Sequence, residues 1–109
     1  MNVYHAPEVA AGAVSAKAGR PATALMHDSA DARVVVFRIE PGQEVASHTS
    51  SSTVLLIVIS GTGVVSGATG DSNVGTGDII AYDVDEPHGM RARDEPLVLA
   101  AVIAPRPVA

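Results

Sequence analysis

The chain has 109 residues, 47% of them hydrophobic, which suits one domain around one core and is too apolar for general disorder. Seven basic against twelve acidic side chains leave a net charge of −5, and the only rings besides histidine are Tyr4, Phe37 and Tyr82. Such a chain repels phosphate backbones and offers few stacking platforms, so no nucleic-acid partner is expected. With no cysteine there is no disulfide, no thiolate metal site and no Cys nucleophile. No apolar run approaches the roughly 18 residues of a membrane helix. Residues 1–20 carry Glu8 and lack a basic start, which makes a poor signal peptide. The expectation is a cytoplasmic protein with no membrane partner.

In chain order, residues 1–20 read as an arm. Within it Glu8 to Val14 forms either a short turn of helix, weakened by Gly12, or an extended segment lying on a partner. Residues 21–104 read as one β-barrel domain, and residues 105–109 as a Pro-rich tail that is a terminus and little more. The barrel strands are expected at Thr23–His27, Arg33–Ile39, Val45–His48, Thr53–Ser60, Gly63–Ser66, Ile79–Tyr82, Gly89–Arg93 and Leu97–Ile103. Breaks fall at Asp28–Asp31, Pro41–Gly42, Gly61–Gly63, Gly67–Asp71, Gly75–Gly77 and Asp94–Pro96. Short β-branched runs at this spacing argue for an all-β, antiparallel sandwich or barrel. No helical stretch is long enough to cross over a parallel sheet.

Two of these strands are apolar at every position: Val54 to Ile59 and Leu97 to Ile103. A strand with one wet face alternates, so both must be covered on both sides. One face fills a barrel. The other needs a second sheet, the N-terminal arm or another subunit, and in so small a chain the expectation is a homodimer.

Chemistry concentrates in two glycine-framed stretches, each with one histidine. The first runs from Gly42 through His48, Ser50 and Val54 to Gly61; the second runs from Gly77 through Asp83, Asp85, Glu86 and Pro87 to His88 and Gly89. Alternate residues of an extended strand share a face. If residues 48–54 stay extended, His48, Ser50, Ser52 and Val54 lie together, and His88, Met90 and Ala92 share a face on the second stretch. If those faces meet across the barrel, His48 and His88 point at one another. Tyr82 either brings a phenol to the mouth or is buried with its hydroxyl satisfied. His27, beside Asp28, reads as a strand-end residue and His5 as part of the arm.

This pattern resembles the two motifs of the cupin family of small β-barrels over about residues 42–92. Gly42, His48, Gly61, Gly77 and His88 stand at the family's spacing. Ser50 replaces a second histidine, Val54 a glutamate, and Ala92 an asparagine; Asp83 and Asp85 replace a proline and a glycine. The resemblance implies an antiparallel double-stranded β-helix (a jelly-roll barrel) whose usual metal ligands are incomplete. It implies a divalent transition metal as the cofactor to consider, with His48 and His88 as its ligands. Asp83, Asp85, Glu86, His27 and His5 are the available sources of a third donor. Catalytic centres take about three protein ligands, and Val54 is none.

The leading reading is therefore a small cupin that binds a small organic molecule in its barrel. His48, Ser50 and His88 would supply polar contacts, Phe37, Val54, Leu56 and Met90 the apolar wall, and Tyr82 a place near the mouth. A metal-dependent dioxygenase, isomerase or decarboxylase is the first alternative, and a non-catalytic sensor or interaction module the second.

Overall fold

The computed structural model describes residues 1–107; Val108 and Ala109, the end of the expected tail, lie outside the described residues. Helix α1 (Ala6–Ala11) precedes ten strands: β1 (Val14–Ser15), β2 (Ala22–Asp28), β3 (Arg33–Ile39), β4 (Glu44–His48), β5 (Thr53–Ser60), β6 (Thr62–Gly67), β7 (Gly70–Gly75), β8 (Ile79–Tyr82), β9 (His88–Ala92) and β10 (Leu97–Ala104). They form a six-stranded sheet in the order β1-β2-β3-β10-β5-β8 and a four-stranded sheet in the order β4-β9-β6-β7. Every pairing is antiparallel. The two sheets face one another as a double-stranded β-helix.

The core between the sheets draws on both. Ile39, Leu56, Val58, Leu97 and Leu99 come from the six-stranded sheet and Val65, Val74, Met90 and Ala92 from the other. Burying each of the Val, Leu, Ile and Met side chains contributes about 1.5–3 kcal/mol, which is why the apolar runs of β3, β5 and β10 fix the fold.

The fully apolar strand β10 is buried along Leu97 to Ala101, on both faces. Its outer face is covered from within the chain. A second cluster joins Ala10 of α1 to Val36, Val98 and Ala100, with Val9, Met26, Val34 and Ile59 packed against it. The arm is thus helical where the sequence left helix or extended segment open. Pro7 sits in the first turn, where its missing N–H costs nothing. Arg38 donates to the carbonyls of Ala10 and Ala11 at the helix end, as a cation there should. The cover is incomplete. Leu55 and Ile57 on the outer face of β5 are only half-buried, and Ile79, the partner of Ile57, is 65% exposed.

Two expectations need correction. Gly70–Gly75 is a strand, not a pair of breaks around a loop. Asp71, Ser72 and Asn73 are exposed at the sheet edge, where no apolar face is needed to hold them. Residues 48–54 do not stay extended: β4 ends at His48 and β5 begins at Thr53, because here the chain leaves the four-stranded sheet for the six-stranded one. Ser52 turns away from the barrel line and is buried, its Oγ donating to the Pro105 carbonyl at 2.7 Å.

Candidate functional site: two facing imidazoles at the mouth of an apolar cavity

His48 and His88 are cross-strand partners in the β4–β9 ladder. Their ring centroids lie 4.2 Å apart with an interplanar angle of 59°. The approach depends on a β-bulge. The register shifts between Val45, opposite Met90, and His48, opposite His88, so that Ala46 and Ser47 together face Gly89. A bulge re-aims the side chains next to it and withdraws a backbone group from the ladder. The carbonyl of Ala46 accepts instead from His48 Nδ1 at 2.9 Å. Gly89 makes the close packing possible: a Cβ there would sit 2.9 Å from Ser66 Oγ and 3.0 Å from the Val45 carbonyl.

His88 is tied in the same way, its Nδ1 lying 2.9 Å from the Glu86 carbonyl. A carbonyl only accepts, so in both rings Nδ1 carries the proton. In the neutral imidazoles each Nε2 is then a free acceptor. The two rings differ in setting. His48 is exposed, whereas His88 is 3% exposed, with the Tyr82 ring 4.9 Å behind it.

Together these residues line a cavity of about 230 Å³. Phe37, Val54, Leu56, Met90, Ala101 and Ile103 make its apolar wall, and His48, Thr49, Ser50 and His88 its polar rim. Of the eight residues assigned to the pocket from the sequence, only Tyr82 lies outside this lining. It is buried behind His88 and donates its hydroxyl to the Ser66 carbonyl at 2.8 Å. Burial first, and the Glu86 carboxylate second, push its phenol up to about 12. The sequence reading missed Thr49, Ala101, Ile103 and Pro107. Ala101 and Ile103 had a signal, since β10 alternates and Ala101 faces inward with Leu99.

The acidic loop serves the backbone. Glu86 Oε1 accepts from the Asp83 N–H at 3.1 Å and Oε2 from the Ala68 N–H at 3.2 Å. Asp85 has a positive φ of 63° and donates its N–H to the Ser50 carbonyl at 2.8 Å, pinning the crossover loop. Asp83 and Asp85 are exposed and outside the cavity lining. His27 lies at the strand end as expected, with Nδ1 3.0 Å from the Tyr4 hydroxyl.

Residues 35–103 match the family model of the cupin domain. The chain belongs to the cupin family. No curated protein matches it. Among solved structures, this cupin is similar to an uncharacterized conserved protein with a double-stranded β-helix domain from Klebsiella pneumoniae. That match has a TM-score of 0.82 and 28% identity, covering 96% of this chain and 90% of the other. It is also similar to TT1209 from Thermus thermophilus, with TM-score 0.86 and 21% identity over 98% and 100% of the two chains. An RmlC-like cupin protein from Desulfovibrio desulfuricans follows, with TM-score 0.75 and 26% identity over 87% and 92%.

Cupins commonly bind transition metals. In this cupin the donor set falls short of one. Among the described residues no group of three or more His, Asp or Glu side chains is placed to hold a metal ion. The positions that would complete the set are Ser50 and Val54, a poor ligand and a non-ligand, and Glu86 is committed to backbone N–H groups. Two imidazoles alone are an incomplete centre.

Proposed function

We propose that this cupin binds a small organic molecule in the barrel, with an apolar body in the cavity and a hydrogen-bond donor directed at the two histidines. One observation carries the reading. The cavity wall is apolar except at its rim, where both imidazoles have Nδ1 occupied by backbone and Nε2 left to accept. A hydroxyl, an amine or a ring N–H satisfies such a pair. At about 230 Å³ the cavity falls between the roughly 150 Å³ that holds benzene and the roughly 300 Å³ and upward of drug-sized ligands. One ring or a short branched chain is the size that fits.

Indole is a suitable probe, being apolar with one N–H. The chain has no tryptophan, so indole fluorescence is read without background. The expected result is a blue shift and raised anisotropy with the wild-type protein. Binding should be abolished by Ala101→Leu, which fills the cavity, and weakened about three- to tenfold by His48→Ala, which removes one acceptor. No response to millimolar indole, with no other small ring compound raising Tm either, would sink the reading.

The homodimer belongs to the same proposal. The patch of Leu55, Ile57 and Ile79 that α1 leaves uncovered would be the surface a second copy buries. Light scattering that gives a monomer at micromolar concentration decides against it.

A further inference from the structure

After β10 the chain does not leave the molecule. Pro105, Arg106 and Pro107 are tied down at three points, each on a different loop or strand. The Pro105 carbonyl accepts from Ser52 Oγ at 2.7 Å. The Arg106 N–H donates to the Asp31 carbonyl at 3.0 Å. The Arg106 guanidinium meets both oxygens of Asp28, Nε to Oδ1 at 2.6 Å and Nη2 to Oδ2 at 3.0 Å. Beyond these anchors Pro107 lines the cavity, on the same rim as His48, Thr49 and Ser50. The sequence reading of residues 105–107 as a mere terminus is thereby corrected. Ser52 and Pro105 are 53 positions apart and Asp28 and Arg106 are 78 apart, so nothing local announces the contacts.

We propose that Pro105-Arg106-Pro107 is a strap across the cavity mouth, with Pro107 as a specificity-determining wall and Arg106 as its positioning residue. The proposal rests on the pocket reading, since it names what sets the size of the entering molecule. Three features support a strap over a fixed wall. It is held by side chains and single hydrogen bonds, not by a ladder. Its main ion pair is surface-accessible, 41% for Arg106 and 28% for Asp28, and exposed pairs hold only weakly. The apolar wall otherwise comes from strands β3, β5, β9 and β10. The anchor itself is well charged: the Arg106 hydrogen bond, opposed by partial burial and helped by Arg33, lowers the Asp28 carboxyl to about 2. A bidentate guanidinium also orients the segment, which an ammonium would not.

The chain lacks cysteine, so single introduced thiols report access without any ligand. Ala101→Cys places a thiol in the cavity wall, and Ala100→Cys places one on the opposite face of the same strand, under α1. With the strap intact, dipyridyl disulfide should modify both slowly. Releasing it with Ser52→Ala and Arg106→Ala together should speed the Ala101→Cys reaction about tenfold or more. Arg106→Ala alone should give about a two- to fivefold rise, as expected for an exposed pair. Arg106→Lys should restore part of the protection. In the cysteine-free protein, release should also raise the indole dissociation rate. The Ala100→Cys rate should not change. An unchanged Ala101→Cys rate, or equal acceleration of both thiols, overturns the strap. Failure of the pocket reading has a different signature, protected and releasable Ala101→Cys with no indole bound.

Discussion

Strands β4 and β9 carry the two histidines and pair with one another, yet they are built to opposite rules. Strand β9 is central, between β4 and β6, and is buried at every position except Arg91. Strand β4 is the edge of the same sheet, and no residue in it is fully buried. His88 is accordingly fixed by Tyr82, by the Glu86 carbonyl and by the core. His48 is held by one bulge and one carbonyl. The difference teaches that the pair is an anchored ring facing an adjustable one. In the proposed ligand-binding role, a molecule entering the cavity would find one acceptor already in place and a second that can move to meet it.

The sharpest way to break this contrast is to remove each ring in turn. His88→Ala should cost about 2–3 kcal/mol in a urea titration, because it empties a buried site and strands its partners. His48→Ala should stay within about 0.5 kcal/mol, as exposed positions do. Equal losses would end the distinction. Next, Gly89→Ala forces a Cβ against the Val45 carbonyl and Ser66 Oγ. An expected loss of about 1–3 kcal/mol should come with a displaced β4, seen as shifts of the His48 ring resonances larger than those of His88. If the His88 resonances move more, the flexible side has been misassigned. The smallest effect at neutral pH concerns Tyr82. The folded protein keeps its phenol proton to higher pH than the unfolded chain. Its contribution to stability is therefore full below pH 10 and lost as pH rises from 10.0 toward about 12. In a Tyr4→Phe background the tyrosinate absorbance should appear near the upper value, and appearance at 10 would mean that the wall behind His88 is wet.

Much of this was legible from residue order. The unbroken apolar runs Val54 to Ile59 and Leu97 to Ile103, set against turn residues at short intervals, are a local signal, and they led to the sheets as they stand. That His48 and His88 face one another followed from the strand period and the cupin resemblance, but they meet as neighbours in one ladder, not across the barrel. What was not legible depends on partners remote in sequence. The polar strand Gly70–Gly75 pairs through its backbone at an edge and has no hydrophobic pattern to read. The bulge at Ala46 and Ser47 is set by Gly89, about forty residues on. The covering of β10 by α1 required Ala10 to find Val36 and Ala100. The crossover at 49–52 broke the two-residue period on which Ser52 had been placed beside His48.

The bulge in β4 has one more consequence. An edge strand offers unpaired N–H and C=O groups to any passing chain, and regular edges template aggregation. The bulge at Ala46 and Ser47 twists that edge away from the flat geometry a further strand needs. A variant of β4 regularised by deleting Ser47 would present an even row of donors and acceptors. The irregularity that aims a histidine into the cavity thus also keeps neighbouring molecules from zipping onto its rim.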